Sequence, residues 1–192
     1  NLLKFMNKHD NFLVNFSLKG FTSILIGIYF LIGAYLIKYF LEGFLIDNNP
    51  MAMMSAEIIE ILIIISTGLV FLFSSLALFF KGKRDAKSFR YKLWNSKTRT
   101  AFWKYIIGII IIFISMVTLM NEGLIDYLTP IFLIIYAALL FILKSKERKN
   151  LLIISALSIL LAIMCILIPS YWYSSLSILG IAHITYGVVV RN

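Results

Sequence analysis

Six stretches of this chain run for 16 to 20 residues without a single Asp, Glu, Lys or Arg. They are residues 21–37, 61–80, 105–120, 127–143, 151–168 and 171–190, and Ile, Leu, Val and Phe dominate most of them. A helix rising 1.5 Å per residue needs ~20 such residues to cross ~30 Å of hydrocarbon. Hydrocarbon offers no partner to a bare N–H or C=O, so an open chain crosses it as helix. The stretches therefore predict an all-α integral membrane protein with six transmembrane helices. The third extends backwards through Phe102 and Trp103. Composition agrees, since 61% of the 192 residues are hydrophobic and 14% charged. Soluble domains are nearer ~45–50% and ~25%. A soluble body of this size has too little interior to hide such a surface, and disordered chains are poor in large apolar residues.

The charges between these stretches orient them. Of 18 Lys and Arg, 17 fall before the first stretch, between the second and third, between the fourth and fifth, or after the sixth. Lys38 alone falls in the alternate segments, which hold Glu42, Asp47, Glu57, Glu60, Glu122 and Asp126. Basic residues mark the cytoplasmic side, so both termini are expected there, with the spans paired as three hairpins. The net charge of +9 is thereby explained without nucleic acid as a partner. The expected location is the cell's inner membrane, crossed several times.

One segment precedes the transmembrane domain of residues 20–192, and one basic loop lies within it. Residues 1–19 place Leu2, Phe5, Met6, Phe12, Leu13 and Phe16 at helix-like spacing beside Lys4, Lys8 and Lys19, which predicts an amphipathic surface segment. They do not read as a cleavable signal peptide. Residues 81–104 form a basic cytoplasmic loop in which Phe89, Leu93 and Trp94 interleave with charge. Lys81, Lys83, Arg84, Lys87, Arg90 and Lys92 are its candidates for contact with anionic headgroups of the bilayer.

Small residues predict how the helices approach. Gly20, Gly27 and Ala34 recur every seven positions in the first span, and Gly180 and Gly187 do the same in the sixth. Such columns let backbones come close where no hydrophobic force drives helices together. Packing within the bundle is the plainer reading, and a face for a homo-oligomer or a membrane-complex partner is the sharper one.

Each hairpin carries a recurring local pattern. The residues are Ile24-Leu25-Ile26-Gly27-Ile28 in the first, Ile106-Ile107-Gly108-Ile109-Ile110 in the second, and Pro169, Gly180-Ile181 and Gly187-Val188 in the third. In this the chain resembles the HdeD-like family of small six-span bacterial membrane proteins built from a short repeat. The family pattern favours a proline after the first and third spans; here Pro50 is displaced and Pro130 sits at the start of the fourth span. The resemblance implies an inner-membrane protein linked to acid or envelope stress, without known enzyme activity.

Reactive chemistry is sparse. Glu57 and Glu60, at i and i+3, share a helix face and are candidates for holding a cation or relaying protons. The plainer reading is a solvated helix start favoured by its dipole. Lys38 and Glu42 can pair if the first helix runs outward. His183 is the one ionisable group well inside a span besides Cys and Tyr, a candidate sensor or ligand site, though a hydrogen bond to a neighbouring helix explains it more simply. Ser66, Thr67, Ser74, Ser75 and Ser115 can satisfy themselves on their own helix backbone. Cys165 is the one cysteine, so neither an intrachain disulfide nor a cysteine metal cluster is available. No P-loop, dinucleotide glycine fingerprint, His-Glu-x-x-His or Gly-x-Ser-x-Gly frame is present, and no cofactor is expected. Tyr171, Trp172 and Tyr173 read as an interfacial aromatic belt.

Three functions remain. The leading one is a small non-enzymatic membrane protein, stress-related or a subunit of a larger complex. The second is a binding or transport module for a small solute, with a cavity open to the outside and lined by Glu57, Glu60, Trp172 and Tyr173. The third is a lipid-modifying enzyme using His183, Tyr186 and Arg191.

Overall fold

The computed structural model describes residues 18, 20–46, 49–88, 93–94, 96–143 and 151–190. Among them the chain is helical with no strand. Six α-helices occur among the described residues: α1 (Phe21–Leu45), α2 (Ala56–Ser88), α3 (Ser96–Asn121), α4 (Leu128–Leu143), α5 (Leu151–Leu167) and α6 (Trp172–Val189). One-turn 3₁₀ segments, Pro50–Met53, Ile125–Tyr127 and Pro169–Tyr171, lie between α1 and α2, α3 and α4, and α5 and α6. By length and composition, four stretches can cross a membrane: Phe21–Leu45, Ala56–Ser88, Thr98–Asn121 and Ile125–Leu143. Helix α5 is as apolar but spans 17 residues, and α6 is diluted by Ser, Thr, Tyr and His183.

The helix ends follow local chemistry. Gly20, at φ 59°, takes the left-handed turn that launches α1. Gly123, at φ 70°, closes α3: its N–H reaches the Met120 carbonyl at 3.0 Å while the Leu124 N–H reaches Leu119 at 2.8 Å. This is the Schellman pattern, which satisfies carbonyls a helix end leaves bare. Asn49 Oδ1 accepts from the Met51 N–H at 3.1 Å and starts the Pro50–Met53 turn. Pro130 stands in the first turn of α4, where no N–H is required of it.

Three helices outrun the charge-free stretches. Helix α1 continues past Lys38, which pairs with Glu42 at 3.5 Å, as the i, i+4 spacing requires. Helix α2 has 33 residues, about 50 Å at 1.5 Å each, well beyond a hydrocarbon core. Residues 81–88, read from sequence as loop, are therefore helix. Lys81 and Asp85 pair at 3.0 Å there, and cations at a C-terminus suit the helix dipole. Helix α3 starts at Ser96 rather than near Tyr105, so the basic connector is shorter than 81–104. The absence of charge marks where lipid can lie, and a helix does not stop there. The surface segment foreseen for residues 1–19 lies outside the described residues apart from Leu18.

Packing is a ring. Helix α1 lies most extensively against α6 and next against α2, α4 against α5 and α3, and α5 against α6, while the backbones of α2 and α3 approach sparsely and meet through side chains, Ser75 with Tyr105 and Phe71 with Phe113. The α1–α6 contact is made by the glycine columns. A Cβ on Gly27 would strike the Gly180 carbonyl, one on Gly180 would stand 2.9 Å from the Gly27 carbonyl, and one on Gly187 2.6 Å from the Gly20 carbonyl. These pairings run the two helices antiparallel. Ala34, the third member of the column, is buried but lines a cavity instead. Outside, Ile32, Ile65, Ile114, Ile153, Ile163 and Val188 are among many large apolar side chains that stand exposed. Such a continuous apolar exterior is untenable in water and natural in lipid.

Candidate functional site

The three 3₁₀ turns gather at one end of the bundle, here the turn end, where Phe44, Ala56, Asp126 and Pro169 border a common cavity of about 260 Å³. Its wall is mainly apolar and aromatic, from Phe30, Phe71, Phe132, Val70, Met116 and Trp172. Two carboxylates, Glu60 and Asp126, belong to that wall, and no Lys or Arg does. Thr67 and Thr129 are its other polar side chains, and the Thr67 hydroxyl is already given to the Ile63 carbonyl at 2.9 Å.

Sequence reasoning placed Glu57 and Glu60 on one face, yet their surroundings part them. Glu60 is half-buried at the cavity, whereas Glu57 is exposed and outside its wall. Residues at i and i+3 differ by about 60° around a helix, enough for one to face inward and the other not. Tyr173 is also outside the wall; its ring lies under Lys38 Nζ at 4.5 Å, a cation–π contact. Asp126 was missed as a cavity residue. An acid one turn before an apolar run was the available signal, shared with every solvated helix start.

A second cavity of about 120 Å³ lies toward the opposite end. Phe30 and Phe71 wall both cavities and so stand between them. The divider is a set of aromatic contacts: Phe30 meets Phe71, Phe132 and Tyr136 at centroid distances of 6.5, 6.2 and 5.5 Å. Behind it sits His183, 0% exposed. Its Nε2 is 2.7 Å from the Tyr136 hydroxyl, and Phe30 stacks parallel to the imidazole at 5.8 Å. Ser23 Oγ donates to the His183 carbonyl at 2.8 Å and lies 3.5 Å from Nδ1. The geometry suits the tautomer that accepts at Nε2 and donates at Nδ1. His183 thus ties α6 to α4 and α1, as the simpler sequence reading has it.

The remaining candidates fall elsewhere. Lys83, Arg84 and Lys87 are exposed on the last turns of α2 and Lys81 is paired with Asp85; Arg90 and Lys92 lie outside the described residues. Cys165, buried, donates to Ser175 Oγ at 3.1 Å across the α5–α6 pair. Among the described residues no three His, Cys, Asp or Glu gather as a metal site. Ser66, Thr67 and Ser75 bond the carbonyl four residues back at 2.8, 2.9 and 2.6 Å. Ser74 breaks the expectation set for it: its Oγ is buried with no hydrogen-bond partner.

The fold is that of an all-helical protein with an exterior suited to lipid and a partly open, mainly apolar cavity at its turn end. Comparison with family models, with curated proteins and with solved structures yields no match to this chain.

Proposed function

We propose that this is a non-enzymatic multi-pass membrane protein that holds a small cationic amphiphile in its turn-end cavity, as the binding or transport module of a small-solute system. The carrying observation is a half-buried Glu60 and an exposed Asp126 bordering an otherwise mainly apolar wall that holds no Lys or Arg. Ligand sites are mostly apolar concavities with a few convergent polar groups. Two acids bordering the cavity, Glu60 half-buried and Asp126 exposed, attract a cation and disfavour an anion. Buried polar groups such as His183 and Cys165 are engaged in bonds between helices, which supports a structural role for them rather than catalysis. In this reading the chain crosses the inner membrane six times with both termini cytoplasmic, the turn end faces outward, and Lys81, Lys83, Arg84 and Lys87 contact anionic headgroups. The resemblance to the HdeD-like family is compatible with it and does not carry it.

The test uses the full chain in detergent micelles with three matched probes: phenethylamine, 2-phenylethanol and phenylacetate. The amine is expected to raise the unfolding temperature most, with about tenfold tighter binding than the alcohol, the equivalent of ~1.4 kcal/mol. Glu60→Gln and Asp126→Asn are expected to shrink that preference while leaving the alcohol unaffected. Equal shifts from all three probes, or none, would overturn the proposal.

A further inference from the structure

The smaller cavity differs in chemistry from the one just assigned. No Asp, Glu, Lys, Arg or His belongs to its wall. Its polar side chains are Ser74, Ser75, Tyr105 and Tyr136. Three of these are engaged. Ser75 gives its proton to the Phe71 carbonyl at 2.6 Å, so the Tyr105 hydroxyl, 2.8 Å away, donates to Ser75 Oγ. The Tyr136 hydroxyl bonds His183. Ser74 is left with a buried hydroxyl and no partner, on a helix where Ser66, Thr67 and Ser75 all close onto their own backbone. An unsatisfied buried hydroxyl is expensive, and the self-bond that would remove the expense is unmade.

The cavity also borders the seam between α2 and α3, which the Tyr105–Ser75 hydrogen bond and the Phe71–Phe113 ring contact bridge. Its wall takes Ser74, Leu78 and Phe79 from α2 and Phe102, Tyr105 and Ile106 from α3, the two neighbouring helices with the sparsest contact. The outward faces beside that seam, with Leu76, Phe80 and Ile107, are apolar and exposed.

We propose that this cavity binds a second ligand class: a small neutral apolar molecule bearing one carbonyl or ether oxygen, which enters from the bilayer between α2 and α3 and accepts a hydrogen bond from Ser74. An ion finds nothing here to offset its desolvation. A pure hydrocarbon leaves the hydroxyl bare. A cavity of ~150 Å³ accommodates benzene, so 120 Å³ suits a ligand of about that size or one reaching into the seam. The inference is independent of the cationic ligand at the turn end, and the two probe sets share no member.

The test compares 2-hexanone with n-hexane on the full chain in detergent, following unfolding temperature. The ketone is expected to stabilise more than the alkane, and Ser74→Ala to weaken ketone binding about fivefold, the effect of one net hydrogen bond. Ser66→Ala, at a hydroxyl already satisfied, is expected to retain wild-type preference. Leu78→Trp, which fills the cavity, is expected to abolish the response to both probes. Equal responses to ketone and alkane would assign the Ser74 hydroxyl to water and overturn the proposal. So would an undiminished ketone preference in Ser74→Ala, or an undiminished response in a folded Leu78→Trp.

Discussion

His183 and Ser74 are both polar and both buried, and their surroundings treat them differently. His183 is met from two other helices, by Tyr136 on α4 and Ser23 on α1, and roofed by the Phe30 ring. Removing the Tyr136 hydroxyl leaves Nε2 facing apolar atoms. Tyr136→Phe is therefore expected to lower stability by about 1 kcal/mol, the usual scale for a lost hydrogen bond that strands its partner. Chemical unfolding in detergent measures it, with exposed Tyr35→Phe as the control expected to show no change. Equal stability of the two variants would remove His183 as a tie between helices. Sequence placed a histidine inside a span; it did not show that it faces the core or that the tyrosine 47 positions earlier would be its partner, because both are decided only by the fold.

At the scale of elements, the α1–α6 contact decides how the two ends of the chain are joined. Gly27 and Gly180 present backbone to backbone with no room for a side chain. Gly27→Val is expected to force the helices apart and destabilise by roughly 1–3 kcal/mol, the range for overpacking. Gly68→Ala places a Cβ at ordinary contact, 3.8 Å from Phe113, and is expected to be neutral or slightly stabilising because Ala is the better helix former. The comparison also separates packing from association: a change in oligomeric state of Gly27→Val with unchanged unfolding would move the glycine column to a dimer face. The spacing of seven was legible in sequence. The partner helix was not, since glycine columns fit any neighbour of matching shape.

The whole molecule sets the two cavities in line along α2, from Ala56 to Phe79, with Phe30 and Phe71 between them. Orientation in the membrane is a property at this scale. Met53, 91% exposed at the end of the Pro50–Met53 turn, and Lys83, exposed on the long end of α2, stand at opposite ends of one helix hairpin arm. In intact cells, a membrane-impermeant maleimide is expected to label Met53→Cys from outside and Lys83→Cys only after permeabilisation. The native Cys165 is buried and does not compete. Labelling of both from the same side would remove the six-crossing topology and the outward-facing cavity together.

What the sequence determined by itself is the set of helical stretches; the side on which each connector lies is the proposal that the labelling experiment tests. An uncharged run of this length has one stable backbone solution in lipid, and basic residues distribute by side for reasons local to each connector. The local pair Lys38 and Glu42 was equally legible, because helical spacing alone brings it together; Lys81 and Asp85 were not, because their segment read as loop and pairs only once α2 continues through it. The rotation of each helix was not. In a soluble protein the apolar stripe reveals the buried face, but here Ile26 is buried and Ile28 and Ile32 exposed with the same chemistry, because lipid and core are both apolar. Only the tertiary structure decided that Glu60 faces a cavity and Glu57 does not, that Ser74 is stranded where Ser75 is satisfied, and that α2 and α3 leave a seam between them.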